Sequence, residues 1–175
     1  MHGLSAVKPR VKGTHSDAAV IAAVRKAIPP HVQVMADANE KCDLTQALWL
    51  MSLARDHGLL FVEEPLPAYA LEGYRRLTSS GAAIATGEHL QTRADFLPFL
   101  SERIASVIQP DLAMAGGLTP VLEIATPVCH TPADVMGELW SKLMVNCAYN
   151  AISALAQQPY GRMAALPAIR EVQRA

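Results

Sequence analysis

Long apolar runs are the first thing this sequence lacks. Its Ala- and Leu-rich stretches are broken by charge before they reach the ~18 residues of a membrane span, so no membrane partner is expected. The N-terminal MHGLSAVKPR has no extended apolar core of the kind that directs secretion. An excess of one charge is lacking too: 15 basic against 16 acidic residues leave a formal net charge of −1, with no basic stripe for nucleic acid. Cysteine is scarce. Cys42, Cys129 and Cys147 are odd in number and irregularly spaced, which indicates neither a disulfide framework nor a zinc site and fits reduced thiols in the cytoplasm. No G-x-G-x-x-G occurs, so a dinucleotide-binding loop is not expected.

What is present is an alternation. Short apolar runs at Ser5–Val11, Val32–Ala36, Leu59–Val62, Ala82–Ala85 and Ile104–Ile108 each lead into a polar residue, as buried parallel strands do. The first is the weakest strand, because Pro9 has no N–H to give a ladder. Between the runs lie helix-like segments. One is capped by Ser16 or Asp17 and stops at Pro29-Pro30; the others cover Thr45–His57, Leu71–Ser80 and Thr92–Arg103, with Pro98 an irregularity. His57, at a helix C-terminus, suits the dipole there. Strands alternating with helices of this length mean βαβ units, an α/β class. The rhythm breaks after Ala125, where TPVCHTPAD intervenes and a long helical stretch follows. Two regions are therefore expected, 1–125 and 126–175.

Acids fall at the ends of these runs. Asp37 closes VQVMA, Glu63 closes LLFV, Glu88 follows AAIA by a Thr-Gly step, and Asp111 follows IASVI through Gln-Pro. The intervals are roughly 25 residues, about one strand, one helix and two loops, which puts four acids at the carboxyl ends of four consecutive strands. One such acid alone would be read as a helix cap or a solvated residue. Convergent carboxylates repel unless a cation lies between them, and hard oxygen ligands favour Mg2+ or a similar ion.

VMADAN, FVEEPLP, ATGEH and IQPDLAMAGGLT, with these acids at their centres, resemble successive signatures of the mandelate racemase–muconate lactonizing branch of the enolase superfamily, over about residues 4–125. The resemblance implies a (β/α)8 barrel, incomplete here at about five units. It implies Asp37, Glu63 and Glu88 as ligands of Mg2+, with Glu64 turned away, and Lys8-Pro9-Arg10 in place of a catalytic Lys-x-Lys pair. Lys8 would help bind the substrate carboxylate; Arg10 departs from the pattern and is a poor base at neutral pH. Asp111 would orient a general-base His, for which His130 is one candidate. His89 adjoins a ligand and is expected to point away from it. The implied chemistry is proton abstraction α to a carboxylate, by a lyase or isomerase acting on a small sugar acid. GEHL with TR and DF looks most like the sugar-acid dehydratases.

The tail reads differently. Lys142, Asn146 and Asn150 lie four residues apart twice, on one stripe of a helix. ELWSKLMVNCAYN resembles the helical C-terminal domain of ketopantoate reductase, over about residues 131–174. That resemblance implies Lys142 as a general acid and Asn146 and Asn150 as substrate-binding residues, yet the NADPH-binding half is missing. The resulting expectation is a truncated, recombined barrel that binds Mg2+ with impaired catalysis, its open sheet edges available for association between copies. A ketopantoate reductase fragment and a non-catalytic remnant are the alternatives.

Overall fold

A computed structural model describes residues 5–125. They belong to Met1–Val128, one of two compact units into which the chain divides. Strands β1 (Ala6–Val7), β2 (Gln33–Val34), β3 (Ala36–Asp37), β4 (Val62–Glu63), β5 (Ile84–Thr86) and β6 (Val107–Ile108) alternate with helices. The helices are α1 (Ser16–Ala27), α2 (Leu44–Asp56), α3 (Leu71–Leu77), α4 (Arg93–Ser101) and α5 (Leu118–Ala125). All pairings are parallel and follow chain order: β1 with β2, then β3, β4, β5 and β6 in one sheet. Parallel strands in chain order, joined by helices, are the arrangement of part of a (β/α)8 barrel. Among the described residues, no helix is long and apolar enough to cross a membrane.

The run expected as a single strand, VQVMA, is two short strands meeting at Met35. The cause lies opposite. Met35 donates to the Val7 carbonyl, Asp37 to that of Pro9, and Val11 to that of Asp37. Even parallel spacing would bring the N–H of residue 9 to the Met35 carbonyl, but Pro9 has none, and the ladder is interrupted there. It resumes at the Arg10–Asp37 bridge, so the first two runs stay side by side.

Helix boundaries follow local chemistry. Asp43 and Gln46 form a capping box that starts α2, and Thr92 with Asp95 forms another that starts α4. Neither Ser16 nor Asp17 caps α1, contrary to expectation. The N-cap is His15, and the buried Asp17 carboxylate instead accepts N–H bonds from Lys12 (3.0 Å) and Thr14 (2.9 Å), fastening the preceding turn. α1 ends where Ile28, ahead of Pro29, turns extended. His57 is the C-cap of α2. The third helix is shorter than expected, because Thr78–Ser80 tightens into a 3-10 turn before Gly81. Pro98 lies within α4, which runs through it to Ser101.

The sheet's apolar residues are covered by helices. Val34, Ala36, Val62, Ile84 and Ala85 are buried, as are Ala47, Leu50 and Met51 of α2, Tyr74 and Leu77 of α3, and Phe96 and Phe99 of α4. Residues apolar toward both faces are what a helix-covered parallel sheet demands. Packing is tight near the first turn: a Cβ on Gly13 would come within 2.6 Å of Cys42 Sγ. That free, buried thiol has its pKa pushed up to about 11, mainly by burial, then by the charges of Asp17 and Asp43.

Candidate metal centre

The carboxyl ends of β3, β4 and β5 carry the chemistry-bearing side chains. Asp37 and Glu63 are direct partners in the β3–β4 register. Both are buried, at 8% and 4% exposure. Two adjacent carboxylates removed from water need a compensating cation, and the first strand provides one. Lys8 Nζ makes a short hydrogen bond to Glu63 Oε2 and lies 3.6 Å from Asp37 Oδ2. Arg10 Nη1 donates to Asp37 Oδ1 at 3.3 Å, and the backbone N–H of Asn39 donates to the same oxygen at 3.0 Å. Lys8 and Arg10 thus flank Pro9, both directed to the acids.

Glu88 comes three residues after Ala85, the residue that pairs with Glu63 across β4 and β5. Gly87, just before Glu88, has a φ of +125° that suits glycine, and a Cβ there would come within 2.7 Å of the Phe96 ring. Charge on Glu88 acts to raise the pKa values of both Glu64 and His89.

Adjacent glutamates take different partners. Glu63 joins Lys8, whereas Glu64 is held by His89, whose Nδ1 donates to both carboxylate oxygens at 3.1 and 3.2 Å. The backbone at Glu64 has left the extended region, with φ +41°. Burial raises the Glu64 pKa, opposed by the bond to His89 and its charge. Burial acts to lower the His89 pKa, but the bond to Glu64 and the charges of Glu64, Glu40 and Glu88 outweigh it, and the net shift is upward. Glu40, three residues beyond Asp37, lies 3.7 Å from the same His89 nitrogen. Glu40, Glu64 and His89 have ligand atoms within 4.8 Å of one another, a spacing compatible with a metal ion. Two groups could therefore hold a cation: the acids at the strand ends, and the set of Glu40, Glu64 and His89. Sequence reasoning missed the second, although each member follows an expected ligand by one or three positions.

Asp111 follows β6 and accepts from the N–H groups of Ala113 (2.8 Å) and Met114 (3.1 Å), fixing the turn before α5. Lys142, Asn146, Asn150 and His130 lie outside the described residues.

The chain's likeness to known proteins agrees with this geometry. A family model described as enolase C-terminal domain-like matches residues 1–168. The D-galactarolactone cycloisomerase of Agrobacterium fabrum is 30% identical over 84% of this chain and 39% of its own length. The L-talarate/galactarate dehydratase of Salmonella typhimurium is 30% identical over 70% of this chain and 32% of its own. Among solved structures, the L-talarate dehydratase of Polaromonas sp. JS666, complexed with Mg and L-glucarate, superposes with a TM-score of 0.66 at 35% identity. It covers 71% of this chain and 36% of that one. A racemase of Streptomyces coelicolor with bound magnesium gives 0.66 at 28% identity, over 70% of this chain and 34% of that one. The chain thus spans 39% and 32% of the two curated relatives. The family match also runs across Lys142, Asn146 and Asn150, and the comparisons lend the reductase resemblance no support.

Proposed function

The chain belongs to the enolase C-terminal domain-like family of the enolase superfamily, and on that premise we propose that it serves Mg2+-dependent abstraction of the proton α to a sugar-acid carboxylate, in a lyase or isomerase reaction. One observation carries the reading. Asp37 and Glu63, buried and in register on adjacent strands, converge on a single cationic group. Hard carboxylate oxygens at strand ends are a donor set suited to Mg2+. In this reading Asp37, Glu63 and Glu88 are the ligands. A divalent ion held there supplies charge neutralisation as negative charge builds on the substrate carboxylate.

The chain's own residues do the rest. Lys8 stands beside both acids and serves the substrate carboxylate. Arg10, a guanidinium and thus a poor general base, binds and orients rather than abstracts. In the same reading Asp111, which follows β6, is the orienting acid. The dehydratase and cycloisomerase names among the relatives support a hexarate or its lactone as the substrate class. Association between copies through β1 and β6, each paired on one side among the described residues, belongs to the same proposal.

The test is isotope exchange. The chain is incubated in deuterated water with Mg2+ and galactarate or L-talarate, and deuterium beside the carboxylate is followed by NMR. Incorporation that stops on adding EDTA is the expected result. A panel of hexarates that all remain unlabelled would overturn the reading.

A further inference from the structure

Non-glycine residues rarely hold a positive φ, and where they do the surrounding structure must enforce it. Four described residues do so: Asn39 (+45°), Glu40 (+62°), Glu64 (+41°) and Arg103 (+54°). Three of the four follow Asp37 or Glu63 directly or within three positions, so the unusual backbone is concentrated where the acids stand. Two of those three, Glu40 and Glu64, also face His89.

The contacts among them link three strand ends and one loop. His89 Nδ1 donates to Glu64 at 3.1 Å and lies 3.7 Å from Glu40 Oε1. The same Glu40 oxygen accepts from the N–H of Ala68 at 2.5 Å, which fastens the loop after β4. Backbone bonds reinforce the connection: Glu40 N–H donates to the Glu64 carbonyl at 2.8 Å, and Glu64 N–H to that of Ala85 at 2.9 Å. Glu64 is 1% exposed, so its carboxylate is a fixed anchor rather than a solvated charge.

We propose that Glu40, Glu64 and His89 are positioning residues, a clasp across the ends of β3, β4 and β5 that fixes the mutual placement of Asp37, Glu63 and Glu88. The inference rests on the reading of those three acids as metal ligands. Each clasp residue is a near neighbour in sequence of one ligand, and the clasp restrains the backbone from which each ligand projects. Partners behind metal ligands commonly govern affinity by about tenfold or more.

Mn2+ binding to the full 175-residue chain, followed by EPR, provides the test. Wild type is expected to bind one Mn2+, and Asp37→Asn to abolish that binding. His89→Phe, which keeps a ring but removes the donor, should weaken it about tenfold or more. His89→Asn, whose amide nitrogen can replace Nδ1, should recover most of the loss. His89→Phe also leaves the buried Glu64 carboxylate without its partner, so its melting temperature in EDTA should fall, whereas that of His89→Asn should stay near wild type; Mn2+ affinity is compared at a temperature where all the variants are folded. If His89→Phe does not fold, Glu40→Gln decides: weakened binding supports the clasp and wild-type affinity overturns it. Binding lost in Asp37→Asn but within twofold of wild type in His89→Phe overturns the clasp alone. Two Mn2+ in wild type, one of them lost in His89→Phe, would make the cluster a second metal site and overturn positioning. No Mn2+ binding by wild type overturns the ligand reading and the clasp together.

Discussion

Glu63→Gln should lower the rate of Mg2+-dependent α-proton exchange at least about a thousandfold, a loss on the order of 4 kcal/mol in transition-state stabilisation. The substitution preserves shape, and its backbone is held in β4 between β3 and β5. What it removes is one negative charge and one anionic oxygen donor at a buried position, 4% exposed. A neutral amide binds Mg2+ poorly, and Lys8 loses the acid to which it is hydrogen-bonded. The initial rate of deuterium incorporation, measured at saturating Mg2+, checks this. A variant within tenfold of wild type would show that Glu63 is not among the groups that hold the ion.

The second large effect concerns stability. In EDTA, Lys8→Met leaves Asp37 and Glu63 buried side by side with Arg10 alone beside them, 3.3 Å from Asp37. Removing one partner of a buried ion pair costs about 3–5 kcal/mol. Lys8 is one-third exposed, so solvent screening reduces the expected loss to roughly 2–3 kcal/mol. Mg2+ should restore much of it, since the ion takes over the compensation of the two acids. Urea unfolding of wild type and variant, each with EDTA and with Mg2+, separates the terms. An equal loss under both conditions would mean that Lys8 and the ion do not serve the same charges.

Much of this arrangement was legible in the order of residues, for physical reasons. Buried parallel strands must be apolar on both faces, so LLFV, AAIA and IASVI stand out, and the acid at or shortly after the end of each run marks the strand end. Asp37 and Glu63 needed only that logic to be placed as neighbours. The interruption at Met35 was not legible, because it is caused by the missing donor of Pro9 on another strand. The start of α1 was misjudged for a related reason. Asp17 is a good cap in isolation, but the N–H groups of Lys12 and Thr14 compete for its carboxylate and win. The Glu40–Glu64–His89 cluster was least legible of all. Its members come from three loops, Glu40 and Glu64 have left-handed backbones, and neither residue type forecasts that conformation. His89 was expected to be a bland neighbour of Glu88; its ring instead connects two acids.

Calorimetric titration of the chain with Mg2+, wild type beside Asp37→Asn, bears most directly on whether the strand ends form a metal centre. Wild type should bind a single ion, and Asp37→Asn, folded to the same melting temperature within a few degrees, should show no saturable heat. Equal binding by the two proteins, or none by wild type, would contradict the assignment of Asp37 and its neighbours as the ligands.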